Sequence, residues 1–255
     1  MTLSNSIPCR VLIEPEPQPG SWNMAVDETL LQSAIEQQQC TLRWYRWSEP
    51  TLSLGYFQPA AELEEHEALK ALPCVRRLSG GGAILHHHEW TYSCALPANH
   101  PATRDPYSLY KIIHRAIIQS LAQIEIRACL REEERHSKST NTQFLCFARG
   151  DETDIVFQSH KIMGSAQRRR KGAVLQHGSL VLENSEFAPQ FPGLLDLTEL
   201  NTFPFESIQH CSSLITAGLQ TSYSMGDFTQ KEKLATQKLE LSKYNSTEWN
   251  QRKST

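Results

Sequence analysis

The hydrophobic period of this chain changes repeatedly from about 3.6 to 2 along its first half, and that alternation limits the fold more than any other feature. In NMAVDETLLQSAIEQQQ (residues 23–39), Ala25, Val26, Leu30, Leu31, Ala34 and Ile35 recur at helical spacing. TLRWYRW and PTLSLGYFQ follow and read as strands, then PAAELEEHEALKAL reads as a helix with Pro59 near its first turn. CVRRL and ILHHHEWTYSCALP read as two strands around the glycine turn SGGGA, and DPYSLYKIIHRAIIQSLAQI reads as a helix. Short strands are expected near FLCF and DIVF. A hairpin is expected from HKIMGSAQ and GAVLQHGSLVLE, with RRRK (168–171) as its solvated tip. The tail from about Glu206 to Leu241 is helical in pattern and polar. Helices interleaved with strands imply a mixed α/β layer. With no internal repeat or linker, 1–255 reads as one domain carrying a helical C-terminal extension (about 206–255).

Charge gives no general attraction for nucleic acid, since 25 Lys+Arg stand against 28 Asp+Glu. The first residues lack an apolar secretory core, and no run approaches the roughly 20 apolar residues that span a bilayer, so a cytoplasmic protein with no membrane partner is expected. The seven cysteines are scattered and never form C-x-x-C, which argues for reduced thiols over a disulfide framework or a zinc knuckle.

Four stretches bear on chemistry. In RRLSGGGAILH, Gly80, Gly81 and Gly82 remove every Cβ from a turn, which lets backbone N–H groups approach a ligand, although a flexible hairpin turn has the same composition. Arg77 and His86 flank it and could line a pocket. His86, His87 and His88 should point alternately to opposite faces of a strand and so cannot share one ion. RRRK suits a solvated turn or an acidic protein partner. Cys146, between Leu145 and Phe147, reads first as a small buried hydrophobe, with a nucleophile whose thiolate is favoured by Lys161 as the alternative.

In order and spacing, NMAVDE, LSLGYFQ, RRLSGGGAILH, KIMGSAQRRRKGAVLQHGSLVL and KYNSTEW resemble the biotin/lipoate protein ligase and octanoyltransferase superfamily, across nearly the whole chain. The resemblance implies a mixed β-sheet flanked by helices, related to the catalytic core of class II aminoacyl-tRNA synthetases and biotin synthetase-like enzymes, with an acyl tunnel near the glycine turn. It implies that Arg77, Gly80, Gly81, Gly82 and His86, together with Gly164, Ser165, Ala166, His177 and Gly178, bind substrate. Lys161 would stabilise charge on the acyl carbonyl oxygen. Cys146, just ahead of Asp154 and Ile155, looks like the nucleophile of octanoyltransferases of the glycine-cleavage H protein type. Cysteine suits thioester exchange because attacking and departing thiolates are similarly basic.

The implied reaction moves an octanoyl group from acyl carrier protein through a Cys146 thioester to a lysine of a lipoyl-carrying protein such as glycine-cleavage H protein, with no metal and no cofactor. Two enzymatic alternatives stay open: a lipoate ligase using ATP and Mg²⁺, and an amidotransferase acting between lipoyl domains. A non-enzymatic acyl-binding relative is a third. Two positions depart from the family pattern. Ser159-His160 stand where a glycine commonly precedes the lysine, and His87 stands where an acidic residue commonly follows the histidine.

Overall fold

A computed structural model describes residues 8–134, 145–148 and 150–252. In chain order the elements begin with β1 (Pro8–Ile13), α1 (Gly20–Gln37), β2 (Cys40–Tyr45), β3 (Thr51–Leu54), α2 (Glu67–Lys70) and β4 (Cys74–Arg76). Then come β5 (Ile84–His86), β6 (Glu89–Leu96), α3 (Pro106–Ala122), β7 (Cys129–Leu130), β8 (Ile155–Phe157) and β9 (His160–Arg170). The chain continues through β10 (Ala173–Val181), α4 (Phe205–Gly218), β11 (Ser222–Met225), α5 (Gln230–Leu239) and α6 (Thr247–Asn250).

Eight strands form one mixed sheet in the order β11-β1-β2-β6-β10-β9-β8-β7, and β4-β3-β5 form a small second sheet. The pairings of β1 with β2 and β11 are parallel, while the remaining pairings of the large sheet are antiparallel. Period-2 alternation sends successive side chains to opposite faces. Val11, Cys94 and Val174 join the core under α3 and α4. Their successors Leu12, Ala95 and Leu175 pack against Val26, Leu30 and Leu31 of α1. The same alternation in β2 sends Leu42 and Trp44 to the α3/α4 side and turns Arg43 and Tyr45 toward α1, where both meet Asp27.

Local signals explain the helix ends. The Asp105 carboxylate accepts the Tyr107 N–H ahead of Pro106 at the start of α3, and Gln38 closes α1 in the left-handed conformation (φ 55°).

Several expectations are corrected. The 59–72 helix is two short pieces, a 3₁₀ turn (Ala60–Glu65) and α2, broken at His66 (ψ 80°). The strands around the glycine turn do not pair with each other: β4 and β5 flank β3 on opposite sides, parallel and antiparallel respectively. His87 and His88 form the bend between β5 and β6, and their rings stack at 3.6 Å instead of pointing apart. Leu145 makes an isolated bridge to Ala83, and Cys146–Ala148 is a 3₁₀ turn; Phe144 lies outside the described residues.

The hairpin turns at Lys171-Gly172, so Arg168, Arg169 and Arg170 belong to β9 rather than to a solvated tip. Arg170 pairs with Glu28, Arg169 donates to the Thr103 carbonyl, and Arg168 sits 4.6 Å from the Tyr56 ring centroid. The tail is not wholly helical: β11 joins the large sheet beside β1, because a parallel edge strand is completed by backbone pairing, which helical spacing in the flanks does not announce.

Candidate active site

The site forms where the glycine turn, the Cys146 turn and the β9–β10 hairpin meet. Arg77 holds the glycine turn in shape. Its guanidinium donates to the Gly80 and Gly82 carbonyls at 2.7 Å each, to Ser53 O at 2.7 Å, and to Ser79 Oγ at 3.2 Å. Burial lowers its pKa to about 10, still far above neutrality, so it stays cationic there. Gly81 has φ +92°, open to glycine at no steric cost, and a Cβ there would lie 3.1 Å from Arg77 Nη2 and 3.8 Å from Cys146 Sγ. The nucleophile candidate therefore lies beside the middle glycine of the turn. Its N–H donates to Ala83 O at 2.7 Å, which ties the Cys146 turn to the end of the glycine run.

Lys161 leaves β9 toward the same point. Its Nζ is 3.5 Å from the Cys146 carbonyl oxygen and 2.9 Å from Asp154 Oδ2, and both side chains of the ion pair are more than nine-tenths buried. Burial pushes the Asp154 carboxyl up, while Lys161 and the Asp151 N–H pull it partly back. Gly164 makes room for the ammonium, since a Cβ there would lie 2.8 Å from Lys161 Nζ.

The turn that presents Lys161 accounts for the first departure. Gln158 and Ser159, between β8 and β9, have φ of 48° and 63°, so Ser159 occupies a left-handed position that glycine fills without strain.

On the β10 side, Ser165 faces Gly178 and Ala166 faces His177 in register. A Cβ on Gly178 would lie 2.1 Å from Ser165 Oγ, so this glycine frees Ser165 to bond His114 Nε2 (2.6 Å) and Tyr92 OH (2.8 Å). His114 Nδ1 meets the Thr153 carbonyl, which requires the proton on that nitrogen, and burial lowers the ring's pKa to about 4. Ser165 is thus a brace between β9 and α3.

A narrow cavity beside the glycine turn is walled by Met24, Tyr45, Arg77, His86, His177 and Gly178. His86 stacks on Trp47 at 3.8 Å and bonds Ser53 Oγ (2.9 Å) and Glu89 Oε1 (2.8 Å). The carboxylate beside His86 therefore comes from Glu89, three residues on, rather than from position 87. His177 Nδ1 is 3.0 Å from Asp27 Oδ2 and Nε2 is 2.5 Å from Ser79 Oγ. A second, apolar cleft runs past Leu145, Phe147 and Phe191, and Ile84 lines both spaces. Among the described residues, no group of three His, Cys, Asp or Glu side chains is placed to hold a metal, and no helix is long and apolar enough to cross a membrane.

Cys146, Lys161, Arg77, Gly81, His86, His177 and Gly178 thus converge. Gly80 stands at the open edge of the turn, with nothing within 4 Å of a built Cβ, and Gly82 contributes its carbonyl to Arg77. Not singled out from the sequence were Gly55, where a Cβ would fall 1.9 Å from Gly81 O, and the roles of Asp154, Asp27 and Ser79 as partners. Asp27 and Ser79 lie inside motifs quoted for the resemblance. Asp154 had only its position after Cys146 to mark it.

The chain matches the Lipoyl protein ligase A/B catalytic domain over residues 19–201. Proteins named Octanoyltransferase LipM from Geobacillus kaustophilus and Brevibacillus brevis are 31% and 32% identical to it; each alignment covers 91% of this chain and 94% of the relative. Among solved structures, a lipoate-protein ligase A bound with ATP superposes with a TM-score of 0.75 at 23% identity, covering 96% of this chain and 98% of that one. A bipartite lipoate protein ligase of Thermoplasma acidophilum, described with its E2 lipoyl domain, gives 0.75 at 20% identity and covers 96% of both chains. These two structures share the mixed sheet flanked by helices.

Proposed function

The chain belongs to the Lipoyl protein ligase A/B catalytic domain family, and from that premise we propose that it is an octanoyltransferase acting through a Cys146 thioester. The observation that carries this reading is the placement of Cys146 Sγ beside Gly81 with the Lys161 ammonium next to the same residue, in a chain about 30% identical to octanoyltransferases.

The donor is the octanoyl thioester on the phosphopantetheine of acyl carrier protein. The Cys146 thiolate attacks its carbonyl carbon. Lys161 and backbone N–H groups of the glycine turn stabilise the oxyanion, the pantetheine C–S bond breaks, and the departing sulfur takes up a proton. Arg77, Gly80, Gly81, Gly82, His86, Gly164, Ser165, Ala166, His177 and Gly178 shape or brace the surrounding pocket.

The ε-amine of a lysine on a lipoyl-carrying domain, of which glycine-cleavage H protein is the candidate, then forms the amide and releases Cys146. Neither step consumes nucleotide or metal. The seven free cysteines fit a reducing compartment, which supports a cytoplasmic reaction.

Intact mass after mixing with octanoyl-acyl carrier protein, without acceptor, tests the reading. The expected result is a gain of one octanoyl group that hydroxylamine removes and that Cys146→Ala does not acquire. Modification of the acceptor by Cys146→Ala at parent rates from octanoate, ATP and Mg²⁺ would replace it with the ligase reading.

A further inference from the structure

Resting on that function, a proton remains to be placed. With a pKa near roughly 10.4, the acceptor lysine arrives almost wholly as ammonium at neutral pH and cannot attack until a base takes a proton. Lys161 is itself a cation, paired with Asp154. His86 has both ring nitrogens engaged, by Ser53 and Glu89, and His114 has both engaged, by Thr153 and Ser165.

His177 differs. Its Nδ1 faces the Asp27 carboxylate at 3.0 Å, which fixes the proton on Nδ1 and leaves Nε2 as the basic nitrogen. Asp27 is itself held by Tyr45 OH at 3.2 Å and Arg43 Nη1 at 3.3 Å. Nε2 then accepts the Ser79 hydroxyl proton. Ser79 Oγ also accepts from Arg77 Nε and, with two lone pairs, keeps one for another donor. Ser79 stands two residues before Gly81, which lies against Cys146 Sγ.

We propose that Ser79, His177 and Asp27 form the proton relay that deprotonates the acceptor lysine, with Ser79 Oγ as the group that touches it and His177 as the base behind it. One ammonium proton passes to Ser79 as the Ser79 proton moves to His177, and the imidazolium is stabilised by Asp27. The N–C bond forms and the Cys146 C–S bond breaks. The second ammonium proton goes to the departing sulfur, and the imidazolium later releases its proton to water. Around His177 stand the charged and titratable groups Asp27 from α1, Tyr45 from β2, Arg77 after β4 and His86 from β5, with Arg43 of β2 behind Asp27.

The test separates the half-reactions. Octanoyl-enzyme is formed from octanoyl-acyl carrier protein, freed of donor, mixed with lipoyl domain and followed by intact mass, for the parent, His177→Gln and Ser79→Ala. For His177→Gln the relay predicts a loss at pH 7 at least about 20-fold larger in the second step than in the first. The lost rate should return by roughly tenfold per pH unit toward pH 9, as free amine accumulates. Equal losses in both steps, parent-like transfer, or no return at high pH would overturn the relay. If His177→Gln does not fold, Ser79→Ala decides alone: transfer must slow at least about tenfold more than acylation. If the parent forms no thioester, the proposed function falls, and the relay with it.

Discussion

Lys161 Nζ stands 2.9 Å from Asp154 Oδ2, a nearly dry ion pair beside the candidate nucleophile. Sequence alone suggests that Lys161→Ala should lose transfer while staying folded. The pair changes that expectation, because removing the lysine leaves the buried Asp154 carboxylate to the more distant Arg131, 3.7 Å away, and to the Asp151 N–H, at a cost of up to about 3 kcal/mol. Lys161→Ala should therefore lose about 100-fold in thioester formation and also melt earlier. Adding Asp154→Asn should restore most of the melting temperature and none of the activity. Recovery of activity in the double variant would remove Lys161 from the oxyanion role.

Cys146→Ser keeps size and position but replaces a thiol with a hydroxyl that ionises far less readily, so acylation should slow by orders of magnitude. Cys94 and Cys211 are buried, and burial pushes both thiols up, that of Cys211 to about 12. Cys94→Ala and Cys211→Ala should label like the parent in the mass assay. Loss of labelling in either, with Cys146 intact, would contradict the assignment.

Two glycines near the turn should respond oppositely to one methyl group. Gly55→Ala drives a Cβ to 1.9 Å from Gly81 O and must displace the turn, whereas at Gly80 a Cβ meets nothing within 4 Å. Gly55→Ala should lose most activity and Gly80→Ala should stay within a few-fold of the parent. Equal rates for the two would show that the turn does not need its present shape.

Ser159→Gly should raise stability, because left-handed backbone costs a non-glycine residue roughly 1–2 kcal/mol and glycine returns part of that through its larger unfolded-state entropy. A rise of about 0.5–1 kcal/mol in denaturant unfolding is expected; a decrease would mean that the serine is not strained.

Glu232 of α5 gives a pH dependence. Burial alone would raise its carboxyl, but hydrogen bonds from Arg10, the Thr229 N–H and Ser33 outweigh it and hold the pKa to about 2, below the ordinary 4.5. A depressed carboxyl contributes stability above its unfolded pKa and loses it as pH falls through its folded one. Stability should decline between about pH 4.5 and 2, and Glu232→Gln should flatten that part of the curve. An unchanged curve would assign the acid response to other carboxylates.

Much of the fold is legible because local patterns carry it. The spacing of Ala25, Val26, Leu30 and Leu31 makes α1, the Asp105-Pro106 start makes α3, and alternation makes β2, β6 and β10. Element boundaries and partners are less legible. β11 and the β4-β3-β5 sheet are made by backbone pairing between segments distant in sequence, and no local period encodes a partner.

The site divides along the same line. Sequence by itself marked the candidates, Cys146 and Lys161 for catalysis and, through the resemblance, His86 and His177 for substrate binding, because their types and motif spacing are properties of the chain alone. Tertiary structure decided what each one touches. Lys161 meets Asp154 because the β8–β9 turn folds one strand back on the other. His86 takes its carboxylate from Glu89 across a bend. His177 gains Asp27 from α1 and Ser79 from the glycine turn because period-2 alternation in β10 aims it at the α1 face. Ionisation and hydrogen bonding depend on distances of about 3 Å, and only a packed chain brings residues as far apart as 27, 79 and 177 within that range.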